Sequence, residues 1–317
     1  MTRVFPLDEI QAVIDPAEVV DAVARGFAAY TQGRVVVPPV GLMHFDDPPG
    51  DVHIKYGYVA GDPYYVVKTA TGFYDNPKRG LPTGDGTMLV GDARTGAILA
   101  VLLDRGWLTE LRTGAAGAVA ARHLAPPAVR RIGVVGAGMQ ARFQVRALAG
   151  VTACRDLLVW SRTRERLDAY RAEMSAEGWR VETTLDLAAI ASTCNLIVTV
   201  TPAERALLHA YEIRPGTHIT AVGSDSLGKQ ELDPAVPATA DVVAADSISQ
   251  ATHHGECAHA VAAGMLDRSD IVEIGAIVAG DAPGRTGDDQ ITVADLTGVA
   301  VQDIAVATMA YRALARR

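Results

Sequence analysis

Arg131-Ile132-Gly133-Val134-Val135-Gly136-Ala137-Gly138-Met139-Gln140-Ala141 decides the fold of this chain. The apolar run Ile132–Val135 reads as a strand, and a helical pattern over Met139–Leu148 starts directly behind the glycines. Gly136 permits the tight turn, Gly138 lets the backbone approach a pyrophosphate, and Ala141 in the third position lets helix and strand pack closely. The start of the helix offers free N–H groups and a positive dipole end to phosphate oxygens. A second apolar strand, Leu157–Trp160, follows about 20 residues on, as a dinucleotide-binding βαβ unit requires. That strand runs into Ser161-Arg162-Thr163-Arg164, with no carboxylate before Glu165. An NAD(H) site places an acid there for the ribose hydroxyls, whereas Arg162 with Ser161 and Thr163 suits a 2′-phosphate. NADP(H) is therefore the favoured cofactor and NAD(H) the alternative. In the plainer reading, Arg162 and Arg164 are solvated charges opening the next helix.

Outward from this unit the rhythm stays strand, helix, strand. Glu165–Met174 reads as a helix, and Leu196–Thr201, His218–Val222 and Val242–Ala245 as strands of a parallel, doubly wound sheet. The first half differs. Asp15-Pro16 opens a capped helix over Ala17–Tyr30. Short strands follow at Val35–Val37, Val52–Val59, Tyr64–Thr69, Thr87–Val90 and Ala97–Leu103, joined by turns that suit an antiparallel sheet. Leu108–Leu124 is an Ala-rich helix closed by Pro126-Pro127, and Ile291–Leu314 reads as one long amphipathic helix. The fold class is thus α/β: a Rossmann doubly wound parallel sheet over residues 125–290, plus a discontinuous α+β domain with a mainly antiparallel sheet over 1–124 and 291–317.

Composition narrows the function. Lys and Arg number 29 against 37 Asp and Glu among 317 residues, a net charge of −8. No nucleic-acid partner is expected, because such a partner needs a cationic face to displace counterions. No membrane partner is expected either: the uncharged run Leu187–Ala203 is short of the ~20 apolar residues of a spanning helix and is broken by polar residues and Pro202. Asp8, Glu9 and Asp15 fall where a signal peptide would be apolar. Cys154, Cys194 and Cys257 are scattered and odd in number, which fits a reducing cytoplasm.

Three stretches resemble the ornithine cyclodeaminase/μ-crystallin family, in the family's order and over essentially the whole chain. They are Leu108-Thr-Glu-Leu-Arg112-Thr-Gly-Ala-Ala-Gly-Ala-Val-Ala-Ala-Arg-His-Leu124, Gly136-Ala-Gly-Met-Gln-Ala141, and Pro215-Gly-Thr-His-Ile-Thr-Ala-Val-Gly-Ser-Asp225-Ser-Leu-Gly-Lys-Gln-Glu-Leu232. Phe73-Tyr-Asp-Asn-Pro-Lys-Arg-Gly-Leu-Pro82 is similar to the cyclodeaminase-like branch of ectoine utilisation. The resemblance implies a homodimer whose first domain binds a small amino or imino acid and makes the subunit interface. It also implies hydride transfer between Cα of that substrate and a nicotinamide. In cyclodeaminases the hydride leaves Cα, a distal amine attacks, ammonia departs and the hydride returns. That reaction is the leading expectation; an NADPH-dependent imino-acid (ketimine) reductase or amino-acid dehydrogenase is the alternative, and a cofactor-bound binding protein a third.

Asp225 follows the strand His218–Val222, at the carboxyl end where open α/β sheets hold ligands, and partial burial there would raise its pKa for proton transfer. Asp-Ser-Leu-Gly is also ordinary turn chemistry. With the resemblance Asp225 becomes the expected acid/base. Lys68 ends the run Tyr64-Tyr-Val-Val-Lys68 and matches the family's substrate-binding lysine, with a catalytic share; a lysine on an edge strand is otherwise a solvent-facing guard against aggregation. Arg112 matches an arginine near cofactor and substrate carboxylate, and its fork suits either anion. The implied cofactor contacts are Thr83, Arg112, Gly136, Gly138, Met139, Gln140, Ser161, Arg162, Thr163, Thr201 and Val222. Two departures weaken ornithine as substrate. Pro38-Pro39 is followed by Val40 where the ornithine enzymes have an arginine nearby, and His53-Ile54-Lys55 replaces a Glu-x-Met-Pro-type motif that reads the substrate amine. Lys55 suits a carboxylate and stands in for the missing arginine. His253, His254 and His259 around Gly255-Glu256-Cys257 have no tetrahedral spacing, so no metal is expected.

Overall fold

Asp15 accepts the Ala17 N–H at 2.9 Å and Pro16 occupies the first helical position, which starts the helix Pro16–Thr31 where its capping signal predicts. The computed structural model describes residues 1–317, and the chain forms two compact units: Met1–Arg112 with Val299–Arg317, and Thr113–Gly298. The divisions expected at 124/125 and 290/291 followed the proline and loop punctuation. The units divide instead within the helix Trp107–Leu124 and just after Gly298.

The first unit is built on a seven-stranded sheet in the order Arg3–Pro6, Ile98–Leu103, Gly84–Asp92, Tyr64–Phe73, Pro49–Val59, Val35–Val36, with Gly41–Asp46 also on Pro49–Val59. All pairings are antiparallel except Arg3–Pro6 on Ile98–Leu103. Strand pairing carries the period of two into faces. Lys55, Lys68, Met88 and Leu102 lie opposite one another across four strands, on the face that the helix Ala300–Leu314 covers. Tyr58, Tyr65, Tyr56, Val67, Leu89 and Val101 form the other face, where Tyr56, Tyr58, Val4 and Leu103 stay exposed. Lys68 is therefore not on an edge strand: Tyr64–Phe73 has a neighbour on each side, and the lysine shares the buried face with Val66. The helix Pro16–Thr31 packs in turn on Ala300–Leu314.

The second unit holds an eight-stranded, wholly parallel sheet ordered Arg180–Thr184, Asp156–Trp160, Ile132–Val135, Leu196–Thr199, His218–Ala221, Thr292–Asp295, Val242–Ala245, Ile271–Glu273. The chain order reverses between Ile132–Val135 and Leu196–Thr199, which makes their carboxyl ends the ligand-binding switch point of a doubly wound sheet. One expectation fails here. Ile291–Leu314 is not a single helix: Thr292–Asp295 is a fully buried strand wedged between two others, and the helix begins only at Ala300. Apolar positions in so short a buried strand fit either period, and Gly298, at φ 86°, turns the chain between the two elements.

Helix Trp107–Leu124 and helix Met139–Leu148 meet at their small residues. A Cβ on Gly114 would lie 2.6 Å from the Phe143 carbonyl oxygen, one on Gly117 would run into the Gln144 side chain, and Gln144 Nε2 donates to the Thr113 carbonyl at 2.9 Å. Gly114→Leu is expected to destabilise the protein by about 1–3 kcal/mol through overpacking, read as a lowered urea midpoint at unchanged m-value. An unchanged midpoint would mean the helices separate at no cost.

Candidate active site

At the switch point Gly136 adopts φ 117°, and its N–H donates to the Trp160 carbonyl at 2.9 Å. A Cβ there would approach the Val200 carbonyl oxygen to 3.0 Å, so the turn needs glycine for the fold itself. Gly138 is different. It caps the helix Met139–Leu148 with no side-chain cap and ordinary extended backbone, and a Cβ built on it meets nothing within 4 Å. The protein's own packing does not demand glycine there, and the first-turn N–H groups of the helix have no side-chain cap. Ala141 is fully buried, with Tyr170 Oη donating to its carbonyl at 3.2 Å.

A cleft of about 490 Å³ opens beside these glycines and is lined by Ser161, Arg162 and Thr201. Arg166 and Arg205 line it as well, two guanidiniums that sequence reading did not single out. Thr163 caps the helix Arg164–Ala176 and is exposed, Met139 is exposed, Gln140 is half-buried and Val222 is nearly buried. Thr83 lies in the first unit on an exposed stretch, its carbonyl accepting the Phe73 N–H at 2.8 Å.

Glu231 organises the strand-end loops. Its Oε1 accepts the Thr201 N–H at 2.6 Å and the Thr201 hydroxyl at 2.7 Å, and its Oε2 accepts the Gly223 N–H at 2.8 Å. Burial pushes its carboxyl up to about 7 despite these donors. Glu256 in turn accepts the backbone N–H groups of Glu231 and Leu232 at 2.8 and 2.9 Å. Thus the residue amid the histidines braces a neighbouring strand. His259 Nε2 lies 2.8 Å from the Lys229 carbonyl oxygen, and His253 and His254 meet edge to face. No three His, Cys, Asp or Glu side chains gather as a metal site.

Asp225 sits in the turn after His218–Ala221. The turn is closed by Ser224 Oγ donating to the Lys229 carbonyl at 2.8 Å. Its carboxylate is not partly buried as expected: the side chain is 51% exposed and its Oδ1 is 2.6 Å from Lys229 Nζ. The tight turn carries the side chain toward solvent, where it pairs with Lys229.

The first unit holds a buried cluster of opposite charges. Lys68, Arg112 and Asp303 are 2%, 5% and 1% exposed. Asp303 Oδ1 lies 3.2 Å from Lys68 Nζ and 3.1 Å from Arg112 Nε, and Gln302 Oε1 accepts Arg112 Nη1 at 2.5 Å. Burial, reinforced by the charges of Arg112 and Lys55, brings the Lys68 ammonium down to about 7 against the pull of Asp303. Burial also pushes against ionisation of Asp303, but Arg112, Lys68 and Lys55 outweigh it and hold that carboxyl below the usual range. Asp104 completes the group: it accepts the Leu108 N–H at 2.9 Å, and burial raises its carboxyl to about 6. Lys55 is half-buried directly across the strand pair from Lys68. Sequence reading found both lysines and the arginine and missed Asp303 and Asp104, since a lone acid in a helix or after a strand carries no motif.

The profile of the ornithine cyclodeaminase/mu-crystallin family matches residues 4–316. The chain belongs to that family. It is 39% identical, over 98% of its length and 93% of the relative's, to an uncharacterized cyclodeaminase y4tK of Sinorhizobium fredii. Among solved structures it is similar to an archaeal alanine dehydrogenase dimer with bound NAD (TM-score 0.92, 32% identity, 99% of this chain and 96% of that one). It is similar also to the Δ1-pyrroline-2-carboxylate reductase of Thermococcus litoralis in complex with NADH and L-proline (TM-score 0.94, 27% identity, 99% and 98%). The family comprises nicotinamide-dependent oxidoreductases and cyclodeaminases, and this member is an enzyme that uses a nicotinamide cofactor. No helix is long and apolar enough to cross a membrane.

Because nothing in the fold crowds Gly138, Gly138→Ala is expected to leave the thermal midpoint unchanged while weakening cofactor binding at least about ten-fold, measured by quenching of protein fluorescence. Equal binding would dissociate this glycine from the pyrophosphate.

Proposed function

We propose that this enzyme transfers a hydride between Cα of an amino or imino acid and the nicotinamide, acting as an imino-acid reductase or amino-acid dehydrogenase. The observation that carries the reading is the buried Lys68–Arg112–Asp303 cluster, an anion seat that includes an ammonium able to trade its proton near neutral pH. When bound, the cofactor supplies the hydride acceptor or donor; Gly136, Gly138, Ser161, Arg162, Thr163, Thr201 and Val222 are the residues assigned to hold it, with Met139, Gln140 and Thr83 as further contacts. Arg112 and Lys55 pair with the substrate carboxylate. Lys68 gives its proton to the substrate nitrogen as Cα is reduced and takes it back in the reverse reaction, so one hydride and one proton cross the C=N bond together.

The cyclodeaminase cycle, expected first from the family resemblance, is the second reading, and the similarity to y4tK favours it. It needs a group that reads a distal ammonium, and the cationic pair Lys55 and Lys68 repels one. Asp225 is its proposed proton carrier, taking a proton from the attacking amine and returning it to the departing nitrogen. A homodimer is proposed through the exposed tyrosine-rich sheet face, where Val36, Pro38, Tyr56, Tyr58 and Tyr65 line an apolar groove of about 540 Å³.

With sub-stoichiometric cofactor and a panel of amino and diamino acids, ammonia and nicotinamide absorbance are followed together. Ammonia matched to reduced cofactor is expected; many turnovers of ammonia without reduced cofactor give the cyclodeaminase instead. Since Lys68 is protonated below about 7 and neutral above it, kcat/KM for imine reduction is expected to fall as pH rises through that value, and for amine oxidation to rise. Parallel limbs in both directions would remove Lys68 from proton transfer.

The cofactor preference proposed is NADP(H), supported by Arg162 with Arg166 and Arg205 along the same cleft. Arg162→Ala is expected to raise KM for NADPH about ten-fold or more and to leave KM for NADH nearly unchanged. A wild-type preference for NADH refutes the assignment.

A further inference from the structure

The helix Ala300–Leu314 carries one charged side chain into the covered face of the first unit's sheet. Asp303 is 1% exposed, and its carboxylate meets two cations. What holds the charge is proximity: Lys68 Nζ and Arg112 Nε both lie beside Oδ1, at 3.2 and 3.1 Å, from a strand and from another helix. A buried ion triad is costly to desolvate, and a well-packed apolar set in place of all three residues would often stabilise a fold as much or more. A triad kept in so dry a place is accounted for by what its charges do together as well as by stability. Without Asp303, a buried ammonium and a buried guanidinium would face each other, with Lys55 across the strand pair as a third cation and Asp104, engaged at the Leu108 N–H, as an acid of the same group.

We infer that Asp303 is the positioning residue of the substrate's anion seat: it holds Lys68 and Arg112 at a fixed separation and keeps the Lys68 proton in place. Gln302, its neighbour on the helix, fixes the remaining freedom of the guanidinium through Nη1. Asp303 itself touches no reacting atom. Its effect passes through Lys68, whose ammonium it favours, and through Arg112, whose fork it orients toward a carboxylate. The inference rests on the proposed role of Lys68 as proton donor.

The test is Asp303→Asn in the full-length enzyme, with the amino or imino acid that the wild type turns over fastest. KM for that substrate is expected to rise at least about ten-fold. The alkaline limb of the reductive pH profile is expected to move down by about one pH unit or more, because the charge that retains the Lys68 proton is gone. KM for the cofactor stays within about two-fold of wild type, which separates positioning from general damage to the fold. Asp303→Glu keeps the charge but displaces it, so its profile falls between those of wild type and Asp303→Asn. If Asp303→Asn does not fold, Asp303→Glu decides, and a wild-type profile in it overturns the inference. A folded Asp303→Asn with unmoved pH limb and substrate KM overturns it as well. Absence of wild-type turnover with every amino and imino acid is a separate result, and it refutes the proposed function.

Discussion

One buried carboxylate sets the character of the first unit. An apolar core would close over the inner face of its sheet with Val66, Met88 and Leu102 alone, and these residues are fully or almost fully buried there. Lys68 and Arg112 enter the same layer, and two cations taken out of water repel each other unless a counter-charge comes with them. Asp303 arrives from a helix almost two hundred residues further along the chain. The return of the C-terminal segment to the first unit is thus more than packing: it delivers the charge that lets the sheet carry cations at all. Burial, against the pull of Asp303, then brings the Lys68 ammonium down to about 7, well below a lysine in water.

The second unit solves the opposite problem with the opposite means. Its strand ends release backbone N–H groups at the switch point, and buried carboxylates collect them. Glu231 binds Thr201 and Gly223, Glu256 binds Glu231 and Leu232, Asp295 takes the Cys257 N–H at 2.8 Å, and Asp246 takes those of Thr297 and Gly298. Burial raises the carboxyls of Glu231 and Asp295 to about 7 even so, which shows how dry that edge of the sheet is. The loops carrying the proposed cofactor contacts are consequently braced from behind by side chains and left open in front.

How much of this was legible in the sequence depends on how local each signal is. The glycine motif, the capped helix at Asp15 and the small-residue helix announce themselves within a dozen residues, and each lies where it was read. Thr292–Asp295 was misread because its neighbours in the sheet are at His218–Ala221 and Val242–Ala245, and four buried residues carry no period of their own. The parallel strand Arg3–Pro6 and the hairpin strand Gly41–Asp46 were missed for related reasons: the one is short, and the other is almost wholly exposed, so no buried face sets a period in it. At the site, Lys68 and Arg112 stood out by family likeness, and Lys55 by its departure from the family motif. Asp303 and Glu231 did not, because their meaning is wholly in what they meet across the fold. Asp225 was legible in position but not in exposure, since the direction a turn gives to a side chain is not written in its residue types.

The glycines show the same division between what the fold needs and what a ligand needs. Gly223 has no room for a Cβ, which would run into the Thr201 carbonyl oxygen and lie 2.5 Å from the Glu231 carboxyl carbon. Gly255, at φ 122°, is filled in the same way by Asp295, 2.8 Å from where its Cβ would stand. Both are glycine because buried carboxylates pack against their backbone, so they belong to the bracing. Gly138 has ordinary backbone angles and empty space around it. Of these three glycines, only Gly138 is left without a packing reason by the protein's own atoms. The smallness of Gly138 serves no packing inside the molecule, which suits the role proposed for it beside an anionic cofactor at the start of an uncapped helix.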